Sequence, residues 1–292
     1  MLKAKEYIIE KGLLLCALIT ALTTIGIILV LTIEAITFFK EISLVDFLTD
    51  TQWTPLYSEK HFGVLPLLAG TFLTTVIAIL VALPIGMGIA IYLSEYAPKS
   101  FRKTIKPLLE LLAAVPTVVY GFFALMVVTP FLQKIIPGLS GFNALSAGIV
   151  MGVMIIPFIS SMSEDALHAV PKSLREAAYG MGSTRLQTVF KVTIPSASSG
   201  ITASAILAIS RAIGETMIVA IAAGQMPGLT FNPIKPVQTI TAYIVQVSSG
   251  DVPFGSLEHS TIFATGISLF VLTFILNSIS FWVSKKYHRQ YE

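Results

Sequence analysis

The sequence predicts an all-α membrane protein with six transmembrane helices, and three observations lead to that class. The first is composition. Hydrophobic residues fill 54% and charged residues only 12% of the 292 positions, whereas a soluble domain of this size carries about 25% charged residues. Mean hydropathy is +0.82. The second is clustering of the charges, which leaves six apolar runs: Leu13–Phe39, Pro66–Leu93, Leu108–Leu132, Leu145–Met162, Ile201–Gly224 and Thr261–Ser284. A hydrocarbon core of about 30 Å needs about 20 such residues as a helix. Only helices and closed barrels cross lipid, and these runs are too long and too evenly apolar for barrel strands. The third is the distribution of Lys and Arg. With both termini cytoplasmic, the inner segments hold fourteen of them, and the outer loops hold Lys40, Lys60, Lys134 and Lys235. That is a positive-inside pattern with Arg211 left at membrane depth. The formal charge of +3 is therefore a topology signal. Its cations are spread over four segments, which argues against nucleic acid as a partner.

The first element is a retained span. Lys3, Lys5 and Lys11 precede an apolar run of about 27 residues, longer than the 7–15 of a signal-peptide core. Residues 1–65 thus read as one transmembrane helix and an external loop. Cys16 is the sole cysteine, which excludes an intrachain disulfide and a thiolate metal site. Its LLLC context lacks the small residues of a lipoprotein cleavage site, and a buried, inert thiol is expected. Two external segments, Lys40 to Leu65 and Gln225 to Ser260, are long for simple connections, and loops of that length are usually functional. They suit either a soluble extracytoplasmic partner or a lid packed on the bundle. Within the second, VQTITAYIVQV (Val237 to Val247) is apolar enough for a short helix or re-entrant piece.

Residues 66–284 form the core, interrupted by a polar loop over 163–195 and followed by a tail, 285–292. The loop reads SEDALHAVPKSLREAAYGMGSTRLQTVFK from Ser163 to Lys191. Ser173 and Glu176 have capping-box spacing just after Pro171, and Thr184 and Gln187 repeat it. Gly180 and Gly182 stop or bend the chain between them. Two short helices joined by a glycine elbow are expected, projecting from the membrane as a handle.

Glu176-Ala177-Ala178, then Gly182, then Val192-x-Ile194-Pro195 resembles the EAA motif of ABC importer permeases, usually written EAA-x3-G-x9-I-x-L-P, with Val for Ile and Ile for Leu. The resemblance implies the MetI-like ABC type-1 permease fold over Gly70 to Asn277. It also implies docking of the loop, through Ser173, Glu176, Ala177, Ala178, Gly182 and Pro195, in a cleft of a cytoplasmic ATPase. The strings at Gly70–Pro98, ISRAIGETMIVAIAAG (Ile209 to Gly224) and TAYIVQVSSGD (Thr241 to Asp251) are similar to PstC-type permeases of bacterial phosphate importers. This similarity implies a companion PstA-type permease, two ATPase subunits, an extracytoplasmic phosphate-binding protein and residence in the bacterial cytoplasmic membrane.

The residues themselves agree with an oxyanion. An arginine at membrane depth costs on the order of 2.5–3.5 kcal/mol, so it should face a polar interior. Its planar fork suits tetrahedral phosphate oxygens. Glu215 lies four residues on, where a continuous helix places it on the same face as a neutralising partner or proton acceptor. Arg211 and Glu215 are the substrate-pathway candidates, with a structural ion pair as the alternative. No phosphate-binding loop of the G-x-x-x-x-G-K-[ST] type occurs, so ATP and Mg would be bound by a partner chain. His61, His168, His259 and His288 lie in loops or the tail, with no H-E-x-x-H, and the chain reads as no enzyme. A sulfate or molybdate permease, or a secondary transporter or channel, is the alternative function.

Overall fold

A computed structural model describes residues 2–288, and every regular element among them is helical; one isolated bridge joins Trp53 and Phe62. Helix α1 (Leu2–Glu41) leads through the short α2 (Leu44–Thr49) to α3 (Leu65–Ile91). Next come α4 (Lys99–Ala113), α5 (Thr117–Phe123), α6 (Thr129–Gln133) and α7 (Ala144–Ala169). Three short helices follow: α8 (Lys172–Gly180), α9 (Arg185–Thr188) and α10 (Ile194–Ser196). The chain returns to the bundle as α11 (Ser198–Ile213) and α12 (Met217–Ala222), then α13 (Ile240–Ser249) and α14 (Leu257–His288). Of the expected tail, 285–288 continue α14 and 289–292 lie outside the described residues.

Among the described residues, four helices are long and apolar enough to cross a bilayer unbroken: Ile9–Glu41, Leu65–Tyr96, Ala144–Ala169 and Leu257–Trp282. Two bent pairs stand beside them: Lys99–Ala113 meets Thr117–Gln133 at 83°, and Arg185–Ser196 meets Ser198–Ile213 at 70°. Counting each bent pair as one span gives up to six among the described residues. The second pair starts before the expected fifth span, Ile201–Gly224, which itself breaks at Gly214. The first break has a local cause. Pro116 has no N–H and disfavours helix in the residue before it, so Leu108–Ala113 belongs to α4 and the span proper starts at Thr117. Cys16 is exposed on α1 rather than buried, because that helix turns most of its surface outward.

Prolines also explain three wide turns. Ala97, Thr129 and Ile194 each donate a backbone N–H to the carbonyl five residues back, on Tyr92, Ala124 and Val189. Each of these donors immediately precedes a proline: Pro98, Pro130 or Pro195. A proline ring crowds the carbonyl four residues before it. Widening the turn by one residue relieves that contact without leaving a backbone group unpaired.

Packing changes character along the bundle. In lipid no hydrophobic force drives helices together, so close approach of small residues does. Helices α3 and α7 pack over Ala78, Ala82, Ala147, Met151 and Ile155, all essentially fully buried. An added Cβ at Gly152 would lie 2.8 Å from the Ala78 carbonyl oxygen and 2.9 Å from Val81 Cβ. At the end of the bundle away from the 163–195 loop, large aromatics take over. Phe38, Phe47, Trp53, Phe62 and Tyr243 form one buried cluster, with Trp53 edge-on to Tyr243 at 4.9 Å. Such pairs contribute about 0.5–1.5 kcal/mol beyond area burial. Lys60 pairs with Glu258 across this cap. Both long segments expected to be external pack as a lid on this end of the bundle, and α13 is a largely buried helix within the second.

Gly152→Val should force α3 and α7 apart and cost at least about 1–3 kcal/mol from overpacking. Gly88→Ala, which meets nothing within 4 Å, should not destabilise and should gain up to about 0.5–1 kcal/mol of helix propensity. Thermal unfolding of the two purified variants beside the parent checks the pair, and equal melting of all three would refute the close-approach account.

Candidate functional site

Two sets of residues carry the chemistry, one at the handle and one where the fifth span breaks. At the handle, α7 ends at Ala169, and Val170 and Pro171 are extended (ψ 128° and 137°) before α8 begins. Pro171, not Ser173, occupies the N-cap, and α8 has no side-chain cap. The first expected capping box is thus not formed. Ser173 lies inside the first turn, and Glu176 is exposed further along the helix. The second box is formed: Thr184 Oγ1 accepts from Gln187 N, and Gln187 Oε1 accepts from Thr184 N at 2.9 Å. Between the two helices Gly182 has φ +83°, with open space around its Cα. A side chain there costs about 1–2 kcal/mol in backbone strain alone. The elbow expected from Gly182 is therefore present, and its demand is conformational.

Arg175 explains why α8 starts early. Its guanidinium donates to the carbonyls of Leu167 and Val170, both at 2.7 Å, and to Glu95 Oε1 at 2.9 Å. It thus caps the end of α7 and neutralises a carboxylate on the wide turn that ends α3. Glu95 is 7% exposed. Arg185 donates to the Glu95 carbonyl and lies over the Tyr96 ring at 4.8 Å. Ala177 is exposed and Ala178 half-buried. Half-buried Pro195 lies in the first turn of α10, whose first residue, Ile194, packs with Ala90, Leu167, Val170 and Ala197. A second buried carboxylate, Glu164 at 1%, pairs with Arg102 and with Lys106 (2.9 Å) of α4. Sequence reasoning missed Glu95 and Glu164. A carboxylate at the end of an apolar run facing a basic segment was the available signal.

At the break, α11 ends at Gly214, and Glu215 lies between α11 and α12. The continuous helix expected over Ile201–Gly224 is not formed, so Arg211 and Glu215 do not share a helix face. No ion pair joins them among the described residues. Glu215 instead turns its carboxylate to α12, where Oε1 accepts from Met217 N (3.1 Å) and Ile218 N (3.3 Å). Thr241 Oγ1 donates to the Glu215 carbonyl at 2.7 Å. Arg211 is exposed, with its guanidinium 5.7 Å from the Phe158 ring centroid. Phe158 is near the middle of α7, about 21 Å from one end and about 17 Å from the other at ~1.5 Å per residue. An exposed guanidinium thus sits midway through the bundle, against an aromatic face and with no carboxylate in salt-bridge range among the described residues.

The family model for "Binding-protein-dependent transport system inner membrane component" matches residues 82–289. The chain is 36% identical over 262 residues to the "Probable ABC transporter permease protein YqgH" of Bacillus subtilis, covering 89% of this chain and 84% of that one. It is 38% identical over 253 residues to the "Phosphate transport system permease protein PstC" of Mesorhizobium japonicum, covering 80% and 76%. Among solved structures, a bacterial alginate ABC transporter chain superposes with TM-score 0.60 at 18% identity, covering 92% of this chain and 94% of that chain. A chain of the MetNI methionine ABC transporter gives 0.56 at 20% identity, covering 77% and 94%. At those identities the structural likeness carries the fold.

Arg175→Gln should strand Glu95 as a buried charge. Removing one partner of a buried pair costs about 3–5 kcal/mol, so the variant should melt lower and expose the 170–185 segment to protease. Glu176→Gln, on the exposed face, should leave both readouts unchanged. An Arg175→Gln protein as stable and protease-resistant as the parent would remove the clamp assigned to this residue.

Proposed function

Because the chain belongs to the family of binding-protein-dependent transport system inner membrane components, we propose that it is the membrane-spanning subunit of an ATP-driven importer and forms half of the path by which inorganic phosphate crosses the cytoplasmic membrane. The observation that carries the substrate assignment is Arg211. Fully exposed to lipid, a charge at that depth would cost on the order of 2.5–3.5 kcal/mol. The exposed face of α11 is therefore turned to a water-lined path and a companion permease of the PstA type. A guanidinium offers phosphate two parallel donors. The relatives named phosphate permeases at 32–38% identity support the same substrate.

Contact with the anion must be weak as well as favourable, or the ion would not leave. One arginine from each permease supplies two positive charges without a closed binding cage. Selective capture then belongs to the extracytoplasmic binding protein, seated on the aromatic cap. Glu215 has a narrower role than neutralising Arg211. By accepting two N–H groups of α12 it satisfies the break and fixes where α11 ends.

Hydrolysis resides in partner ATPase subunits, which bind ATP and Mg and grip the handle. The handle presents apolar side chains to water on its outer face: Met181 is 89% exposed, Leu186 59% and Phe190 58%. Exposed apolar groups at a polar membrane end mark an interaction surface. Movement of α8 is passed to the end of α3 through Arg175 and Glu95, and along α9 and α10 into α11, which ends at Arg211.

Arg211→Gln should abolish phosphate uptake while leaving complex yield and melting unchanged. Arg211→Lys should rescue poorly, because it keeps the charge and loses the fork. Glu215→Gln keeps an acceptor oxygen for α12 and should transport, whereas Glu215→Ala should lose about 1 kcal/mol of capping. Radiolabelled phosphate uptake beside complex yield for the four variants checks these outcomes. If lost uptake follows lost complex throughout, Arg211 is structural and the path assignment fails.

A further inference from the structure

Helix α4 has no role in the path or the handle, yet it is the most strongly two-faced element of the chain. Lys99, Arg102, Lys103 and Lys106 recur on one face of KSFRKTIKPLLELLA, and Phe101, Ile105, Leu108 and Leu112 on the other. No residue of α4 is buried. It follows the end of α3, and an 83° bend sets it nearly perpendicular to the segment Thr117–Gln133 that follows; an amphipathic helix at that angle to a span suits the membrane surface. A cavity of about 510 Å³ opens on its basic side, and Lys172 and His168 close it from α8 and the end of α7. That volume falls in the range of small-ligand sites, about 300–1,000 Å³. Arg102 and Lys106 are already engaged by Glu164, and Lys106 also by Asp165 at 2.5 Å. Lys99, Lys103 and Lys172 form no ion pair among the described residues, and the cavity wall offers them one carboxylate, Glu110. A second cavity, of about 430 Å³ and apolar, lies between Phe101, Ile105 and Leu109 of α4 and the last turns of α3 around Ile85 and Ile89.

We propose that the basic cavity between α4 and the end of α7 binds the headgroup of an anionic phospholipid of the cytoplasmic leaflet, with the apolar groove on the other side of α4 seating acyl chains. Three uncompensated lysines call for an anion, and the apolar groove across α4 from them calls for one that carries hydrocarbon. The placement of α4 at the membrane surface puts both within reach of a lipid. A basic amphipathic helix at the cytoplasmic end of spans is the arrangement that attracts anionic lipid. The orientation rests on the inward-facing lysine-rich end assumed for the importer; the lipid site itself does not depend on what the protein transports.

The test uses the assembled complex purified in mild detergent, with retention of dioleoylphosphatidylglycerol and of dioleoylphosphatidylcholine measured by native mass spectrometry. The parent should retain phosphatidylglycerol selectively, and excess inorganic phosphate should not displace it. A Lys99→Gln, Lys103→Gln, Lys172→Gln triple variant should bind it on the order of a hundredfold more weakly, since each lysine near an anionic surface is worth roughly fivefold. The corresponding triple arginine variant should bind like the parent, which separates lost charge from lost folding. Equal retention of the two lipids, unchanged retention in the glutamine variant, or loss in the arginine variant would each overturn the site. Displacement by inorganic phosphate would make it a soluble-anion site instead, and weaker ATPase association with unchanged lipid retention would make it a protein contact. Either result also refutes the lipid assignment. Phosphate uptake is not a readout here, so failure of the lipid site is distinguishable from failure of the transport role.

Discussion

A helix can stop inside a bilayer only if the backbone groups it frees find partners, since each unpaired one costs several kcal/mol there. The break between Ile213 and Met217 meets that condition with residues of its own. Glu215 takes the first N–H groups of α12, and Thr241 donates to the Glu215 carbonyl. Thr241 comes from α13, which is held under the aromatic cap by Tyr243 and its neighbours. The outer lid, the break and the position of Arg211 are therefore one construction. With α11 ending at this level, Arg211 projects from the last turn of a helix midway through the bundle, beside Phe158. A continuous helix would have given it an i+4 carboxylate and no net charge to offer an anion.

The inner end is organised by a different constraint, the need to bury carboxylates only with partners. Glu95 and Glu164 lie at the handle ends of α3 and α7, and each is matched by cations from elements far off in sequence. Arg175 satisfies Glu95 and two orphan carbonyls of α7 at once. This fastens the handle to the bundle by charge rather than by apolar area. The outer side of α8 and α9 stays exposed, and Arg175 and Glu95 are the contact that joins the handle to the end of α3.

What could be read from the sequence divides along the same line. The six runs announce themselves because length and hydropathy are local: four correspond to unbroken spans, and the other two fall on broken helices whose bounds differ from the runs. The Thr184 box and the Gly182 elbow were legible for the same reason. Ser173 failed as a cap because Arg175 must reach Glu95, a residue 80 positions away, and that tertiary demand overrides a four-residue pattern. The break at Pro116 had a local signal in the proline. The break at Gly214 had only one glycine, an ordinary residue of membrane helices, so the face shared by Arg211 and Glu215 was inferred from a helix that does not continue. Cys16 was expected to be buried because an apolar run does not show which of its faces meets protein.

The account turns on whether the Arg211 position opens to water within the assembled bundle. The chain's single cysteine makes this directly measurable. In a Cys16→Ser background, cysteine placed at Arg211 is treated in the assembled complex with a charged, membrane-impermeant thiol reagent, beside cysteine placed at Leu22 on the outward face of α1. The expected result is modification at 211 in at least one nucleotide state and none at 22. A position 211 that stays unreactive in every state, in a complex that still hydrolyses ATP, would contradict a translocation path at this arginine.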